Sequence, residues 1–211
     1  MDFQGYLKIT YELLKRHPLF FILGGFAAQL LTMFSLSLLA GPFLGSYLMT
    51  MVLFLRKGKK PEFSDLFVGL SKIKQLFPFF FLLLLTVLGF MLLIVPGIVF
   101  ATWWMYTLPL MTDKEMKLGE AMRESMRKVN EKGFFMHLIF LLMITFVPLF
   151  ILNILSALVP LLSILQFLLP ALQTGCLACL YLEQFEGISP SSITFATTSD
   201  PDSEQVRSLP E

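Results

Sequence analysis

Three stretches of the chain contain no Asp, Glu, Lys or Arg: Pro18 to Leu55, Gln75 to Thr112 and Gly133 to Leu182, of 38, 38 and 50 residues. A soluble fold of 211 residues has no interior large enough to keep that much Leu- and Phe-rich sequence from water. The chain is therefore expected to be an integral membrane protein. One crossing of ~30 Å of hydrocarbon takes about 20 apolar residues, so each run is too long for one span and suits two. The expectation is an all-α polytopic protein of about six transmembrane helices arranged as three hairpins. A composition of 56% hydrophobic residues with 23 Phe agrees.

Charge orients such a chain. If each run is a hairpin, every charged segment falls on one face of the membrane. The segment Arg56 to Lys74 carries Arg56, Lys57, Lys59, Lys60, Lys72 and Lys74 against Glu62 and Asp65, and Asp113 to Lys132 has six basic and five acidic residues. The opposite face would hold only uncharged turns. The positive-inside rule then makes both termini and both charged segments cytoplasmic, in a multi-pass protein of the cell's inner (cytoplasmic) membrane. Lys15, Arg16 and His17 resemble the start of a signal peptide, but the apolar stretch after Pro18 is too long for one, which favours a retained first span.

Breakers divide the runs at Gly41-Pro42, at Pro96-Gly97, and at Pro160 and Pro170. Sliding Gly41 to Phe80 by 55 residues places it on Pro96 to Phe135, so that Asp65 meets Glu120, Lys72 meets Arg127, and Phe79-Phe80 meets Phe134-Phe135. This is a weak internal repeat of span, turn, span and amphipathic helix. Phe63, Leu66, Phe67, Leu70, Ile73 and Phe77 share one helical face after Pro61, predicting a helix in the headgroup layer with Lys72 and Lys74 near anionic lipid. Leu118, Met122, Ser125 and Val129 form a narrower stripe on a second cytoplasmic helix. Residues 1–186 are expected to be a single membrane domain. The Ser-, Thr- and Pro-rich segment 187–211 is expected to be a disordered cytoplasmic tail.

Chemistry is sparse. His137 is the one ionisable side chain inside the runs apart from cysteine and tyrosine, and its place near the predicted interface suits a satisfied structural histidine. His17 gives it no ligand spacing, so no metal or cofactor is expected. Cys176 and Cys179 match C-x-x-C. They lie inside an apolar span, however, where Ala171, Gly175 and Cys179 recur every four residues as a small-residue packing face. Gln29, Asn153, Gln166 and Gln173 either hydrogen-bond between helices or line a substrate route. Trp103, Trp104 and Tyr106 lie too deep for a headgroup belt, so that span either enters irregularly or packs its aromatics in the bundle. The cluster Arg56, Lys57, Lys59, Lys60, with Lys72 and Lys74, is a topology signal and a candidate anionic-lipid contact. There is no nucleic-acid signature.

The stretch Gly89 to Ile98 (GFMLLIVPGI), with Pro109-Leu110 and Ala121-Met122-Arg123-Glu124-Ser125, resembles a pattern in uncharacterised prokaryotic six-helix membrane proteins. It is also similar to the membrane domain attached to some glycerophosphodiester phosphodiesterases. The resemblance covers roughly Pro42 to Phe150, implies an all-helical membrane module, and carries no catalytic residues. The expectation is a non-enzymatic protein that organises lipids or partner proteins in the cytoplasmic membrane. The alternative is a transporter, channel or lipid-translocating protein. Membrane lipids are the expected partners, with other membrane proteins or a second copy of the chain as further classes.

Overall fold

The computed structural model describes residues 2–193, without the side chains of 160 and 162–164. Helix α1 is Phe3–Arg16, α2 Pro18–Phe34 and α3 Ala40–Lys57. A connector follows, built from a 3-10 turn at Phe63–Phe67 and two single-turn helices, α4 (Val68–Ser71) and α5 (Ile73–Leu76). Then come α6 (Phe79–Leu92), α7 (Ile94–Trp103), α8 (Thr107–Asp113) and α9 (Leu118–Lys132). Helix α10 (Phe134–Leu141) widens into a π turn at Leu142–Phe146 before α11 (Val147–Leu158), and a 3-10 stretch, Pro160–Leu168, leads into α12 (Leu169–Glu186). The π turn lies just before Pro148, whose ring would collide with the carbonyl of an undistorted preceding turn. No strand occurs among the described residues.

Four helices are long and apolar enough to cross a membrane: Ile73–Leu92, Ile94–Asp113, Phe134–Leu158 and Leu165–Glu186. The pair α1 and α2, bent by 103° at His17, brings the number to as many as five. Only 11% of the most apolar window of Phe134–Leu158 and 22% of that of Ile73–Leu92 is buried by the rest of the chain, so these helices leave most of their Leu, Ile and Phe uncovered. Apolar surface on that scale is stable only against lipid or another apolar partner.

Helix α3 falls outside that set because its 18 residues include Gly41, Pro42, Gly45, Ser46, Thr50, Arg56 and Lys57. Packing explains this composition. Helices α2, α8 and α12 and the connector all lie against α3, which buries residues on every side from Ala40 to Leu55. A helix enclosed by protein needs close approach more than an oily surface, and small residues supply it. Helix α12, the other central helix, packs on α1, α2 and α3.

Both expected turns lie slightly upstream of the breakers. The first run bends at Ser35–Leu39, with Leu36 and Ser37 at φ 51° and 64°, and Gly41-Pro42 falls in the first turn of α3. The second breaks at the extended residue Leu93, and Pro96-Gly97 falls in the first turn of α7. Proline lacks an N–H where the helix has no acceptor for one, so it opens the following helix instead of marking the turn itself.

The connector also departs from the single amphipathic helix expected for Phe63 to Phe77. It leaves α3 through Gly58 (φ 66°) and runs back along the same helix. Phe63 meets Phe20, the 3-10 turn reaches Phe43 through Phe67, and a Cβ on Gly41 would strike the carbonyl of Leu76. Leu66 and Leu76 enter the core, whereas Phe63, Phe67, Val68, Ile73 and Phe77 remain exposed. The apolar face is divided because the connector buries Leu66 and Leu76 against the bundle and leaves its aromatics at the edge of the contact, each ring only partly covered.

Helix α1 was not foreseen, although Asp2 caps it by accepting from the Gly5 N–H at 2.9 Å. Its stripe Tyr6, Ile9, Thr10, Leu13 and Leu14 is buried against the bundle, chiefly on α12. Residues 187–193 at the start of the expected tail fold back on α1, where Pro190 is buried. The rest of that segment, 194–211, lies outside the described residues.

Candidate functional site

The charged ends of α3, α8 and α12 converge although they are distant in sequence. Arg56, the penultimate residue of α3, donates Nη1 and Nη2 to the two carboxylate oxygens of Asp113 at 3.0 and 2.7 Å. Its Nε donates to Glu186 Oε2 at 3.0 Å, and Nη2 also pairs with Glu186. The Tyr181 hydroxyl donates to Asp113 Oδ2 at 2.7 Å. One planar guanidinium thus joins the last residue of α8 to the last residue of α12, a use of its donor fork that an ammonium could not match.

Beside this cluster is a pocket of about 250 Å³ between α3, the connector and α8. Ser46 and Thr50 of α3 and Thr112 of α8 form its polar wall, and Met49, Leu53, Val68 and Leu76 its apolar wall. Gly69 and the charged residues Lys59, Asp65, Lys72 and Asp113 complete the lining. The Lys59 ammonium donates to Asp65 at 2.9 Å, and Lys72 pairs with Glu115. Ser46 Oγ accepts from the Gly69 N–H at 2.7 Å and donates to the Pro42 carbonyl at 2.8 Å, which pins the connector to α3. Gln75 Nε2 donates to the Met111 carbonyl at 3.0 Å, tying the connector to α8 as well.

The six cations singled out from the sequence therefore divide. Arg56, Lys59 and Lys72 are engaged by carboxylates at or beside the pocket. Lys57, Lys60 and Lys74 are exposed and make no ion pair among the described residues. The sequence reading missed Asp113 and Glu186 as partners of Arg56 and Tyr181 as a donor to Asp113. Each sits at or within about two turns of the end of a run, but nothing local pairs them.

The second repeat unit shows what its amphipathic helix does. Ala121, Ser125 and Val129 of α9 are buried, and Ser125 occupies the break between α7 and α8. Its hydroxyl donates to the Trp103 carbonyl at 2.7 Å and accepts from the Tyr106 N–H at 3.1 Å, replacing the helix bonds lost there. Trp104 stacks on Phe100 and Tyr106 is buried, so the aromatics both mark an irregular helix and fill the bundle. On the outer face Arg127 donates to Glu124, which holds that carboxyl below its usual range.

His137 is fully buried and satisfied: Nε2 lies 2.9 Å from the Tyr106 hydroxyl and Nδ1 2.8 Å from the Gly133 carbonyl. Cys176 and Cys179 are free and buried in α12, with Cys176 Sγ 3.4 Å from Thr10 Oγ1 and Gly175 giving Thr10 room to approach. Of the uncharged polar residues, Gln29 and Asn153 are exposed, Gln166 and Gln173 are half-buried, and Asn153 donates to its own helix at Leu149. No group of three His, Cys, Asp or Glu among the described residues could hold a metal ion. Comparison with known proteins gives no match to a family model, a curated protein or a solved structure.

Proposed function

We propose that the chain is a non-enzymatic membrane protein that organises lipids, and through them partner proteins, in the cytoplasmic membrane. The observation that carries this reading is the connector. Its inner side is fastened to α3 at Ser46, while Phe63, Phe67, Val68, Ile73 and Phe77 stand exposed on the segment that also bears exposed Lys60 and Lys74. Aromatic groups beside ammonium groups suit the boundary between acyl chains and phosphates.

The accompanying topology is six spans in three hairpins with both termini in the cytoplasm. It is supported by packing within each charge-free run: α2 on α3, α6 on α7, and α11 on the 3-10 stretch before α12. Cysteines introduced at Lys59 and Lys117 should resist a membrane-impermeant thiol reagent in intact cells and react after permeabilisation. Labelling of either site in intact cells rules out this topology.

Lipid retention tests the activity. Phospholipid is counted per protein after extraction from vesicles of defined composition, and Phe67→Asp should retain less than half the wild-type amount, because a carboxylate at that depth is expelled from the interface. Gln166→Leu should retain as much as wild type. Loss of vesicle flux in folded Gln29, Asn153 or Gln166 variants, with retention intact in Phe67→Asp, would replace this reading with a translocating protein.

A further inference from the structure

We propose that the pocket between α3, the connector and α8 binds the head group of a zwitterionic phospholipid carrying a primary amine. This inference rests on the lipid-organising reading and names the lipid.

Charge comes first. The lining holds two ammonium groups, Lys59 and Lys72, and two carboxylates, Asp65 and Asp113, so it carries no net charge. Each of these charges already has a partner, Lys59 with Asp65, Lys72 with Glu115 and Asp113 with Arg56, so a ligand of one sign that draws a group from its partner leaves that partner uncompensated, whereas a zwitterion matches both.

Hydroxyl directions then assign the ends. Thr50 Oγ1 donates to the Ser46 carbonyl at 2.9 Å, and Thr112 Oγ1 donates to the Leu108 carbonyl at 2.7 Å. Each hydroxyl has one hydrogen, so with it committed the oxygen can only accept. Asp113 Oδ1 receives a single hydrogen bond, from Arg56, and keeps a lone pair. This wall offers acceptors to a ligand and suits an ammonium with three N–H donors. A phosphate there would meet oxygens alone. The phosphate belongs with Lys59 and Lys72, whose half-exposed side chains can turn from their carboxylates toward it.

Size and surroundings favour a lipid. The pocket, about 250 Å³, exceeds the ~150 Å³ engineered cavity that admits benzene and is too small for acyl chains. Those chains have a path outside it: Val68 belongs both to the apolar wall and to the exposed face with Phe67 and Ile73. A primary amine on a phosphodiester is also the chemistry of soluble glycerophosphoethanolamine, and the apolar wall decides for the lipid.

The test is calorimetric titration of the full chain in detergent with short-chain phosphatidylethanolamine. Comparators are phosphatidylcholine and phosphatidylglycerol of the same chain length, and glycerophosphoethanolamine. Saturable binding of phosphatidylethanolamine, about tenfold or more tighter than the other three, is expected, because the choline head lacks N–H donors and the glycerol head lacks the cation. Thr50→Val, which removes an acceptor, and Leu53→Trp, which fills the pocket, should each weaken binding several-fold with unchanged helical content. Equal affinity for phosphatidylglycerol overturns the zwitterion assignment, and equal affinity for phosphatidylcholine overturns the primary amine. Equal affinity for glycerophosphoethanolamine overturns the lipid assignment, and wild-type binding by Leu53→Trp overturns the site. Reduced retention in Phe67→Asp with no head-group discrimination by the wild type defeats this inference alone, whereas wild-type retention in Phe67→Asp with discrimination intact defeats the lipid-organising reading alone.

Discussion

Gly69→Ala is expected to lower stability by about 3 kcal/mol, at the upper end of the cost of overpacking. The Gly69 backbone lies against α3, its N–H held by Ser46 Oγ at 2.7 Å, and a Cβ there would overlap both that oxygen and the Pro42 carbonyl. A carbonyl inside a helix cannot rotate away as a side chain can, so the connector must lift. Gly41→Ala should act in the same direction, because its Cβ would strike the Leu76 carbonyl from the other side of the seam. Gly119 provides the contrast: it is exposed in the first turn of α9 with nothing near its Cβ position. Gly119→Ala should be neutral or stabilising by roughly 0.5–1 kcal/mol. In a thermal ramp read by size-exclusion chromatography in detergent, the seam variants should lose roughly 10 °C at ~2–4 °C per kcal/mol for a chain of this size. A Gly69→Ala protein as heat-resistant as wild type would show that the connector is not docked on α3.

The second large effect is expected from Arg56→Met. Removing one partner of a buried ion pair costs about 3–5 kcal/mol, and the residual exposure of the Arg56 side chain, 21%, reduces this to about 2–3 kcal/mol. The loss comes mainly from Asp113 and Glu186, two carboxylates left beside each other without a cation. Arg56→Lys should recover only part of it, since one ammonium cannot reproduce the paired bonds to Asp113. Combining Arg56→Met with Asp113→Asn should cost less than the two single changes together, by about 1 kcal/mol or more. Additive losses in the same thermal assay would mean that the guanidinium is not what joins α8 to α12.

The internal repeat shows where sequence and structure part. Aligned by sequence, the two connecting segments are counterparts, each with an apolar stripe, an acid and a cation in register. Folded, they do different work. Residues 118–132 stay one helix whose Ser125 repairs the break at Trp103–Tyr106, whereas residues 63–76 split into three short turns pinned by a serine of the helix they cover. Their stripes are similar because both are half-buried. Their shapes differ because the surfaces they meet differ: a broken helix with unpaired backbone groups in one case, and the small-residue flank of α3 in the other.

By itself, the sequence determined that the chain is helical and that much of its length belongs in an apolar medium. Those properties depend on local composition and on the free energy of moving each residue from water, which neighbouring residues along the chain already specify. It also put Cys176, Cys179 and His137 in apolar surroundings with no partner at a chemical spacing, and all three are buried. Only the tertiary structure decided that Arg56 is clamped by carboxylates 57 and 130 positions away while Lys57 beside it is not, and that Thr50 and Thr112 turn acceptors into a common pocket. A charge or a hydroxyl has the same composition whether paired or free. Which it becomes depends on the groups brought to it by helices whose packing geometry no local pattern records.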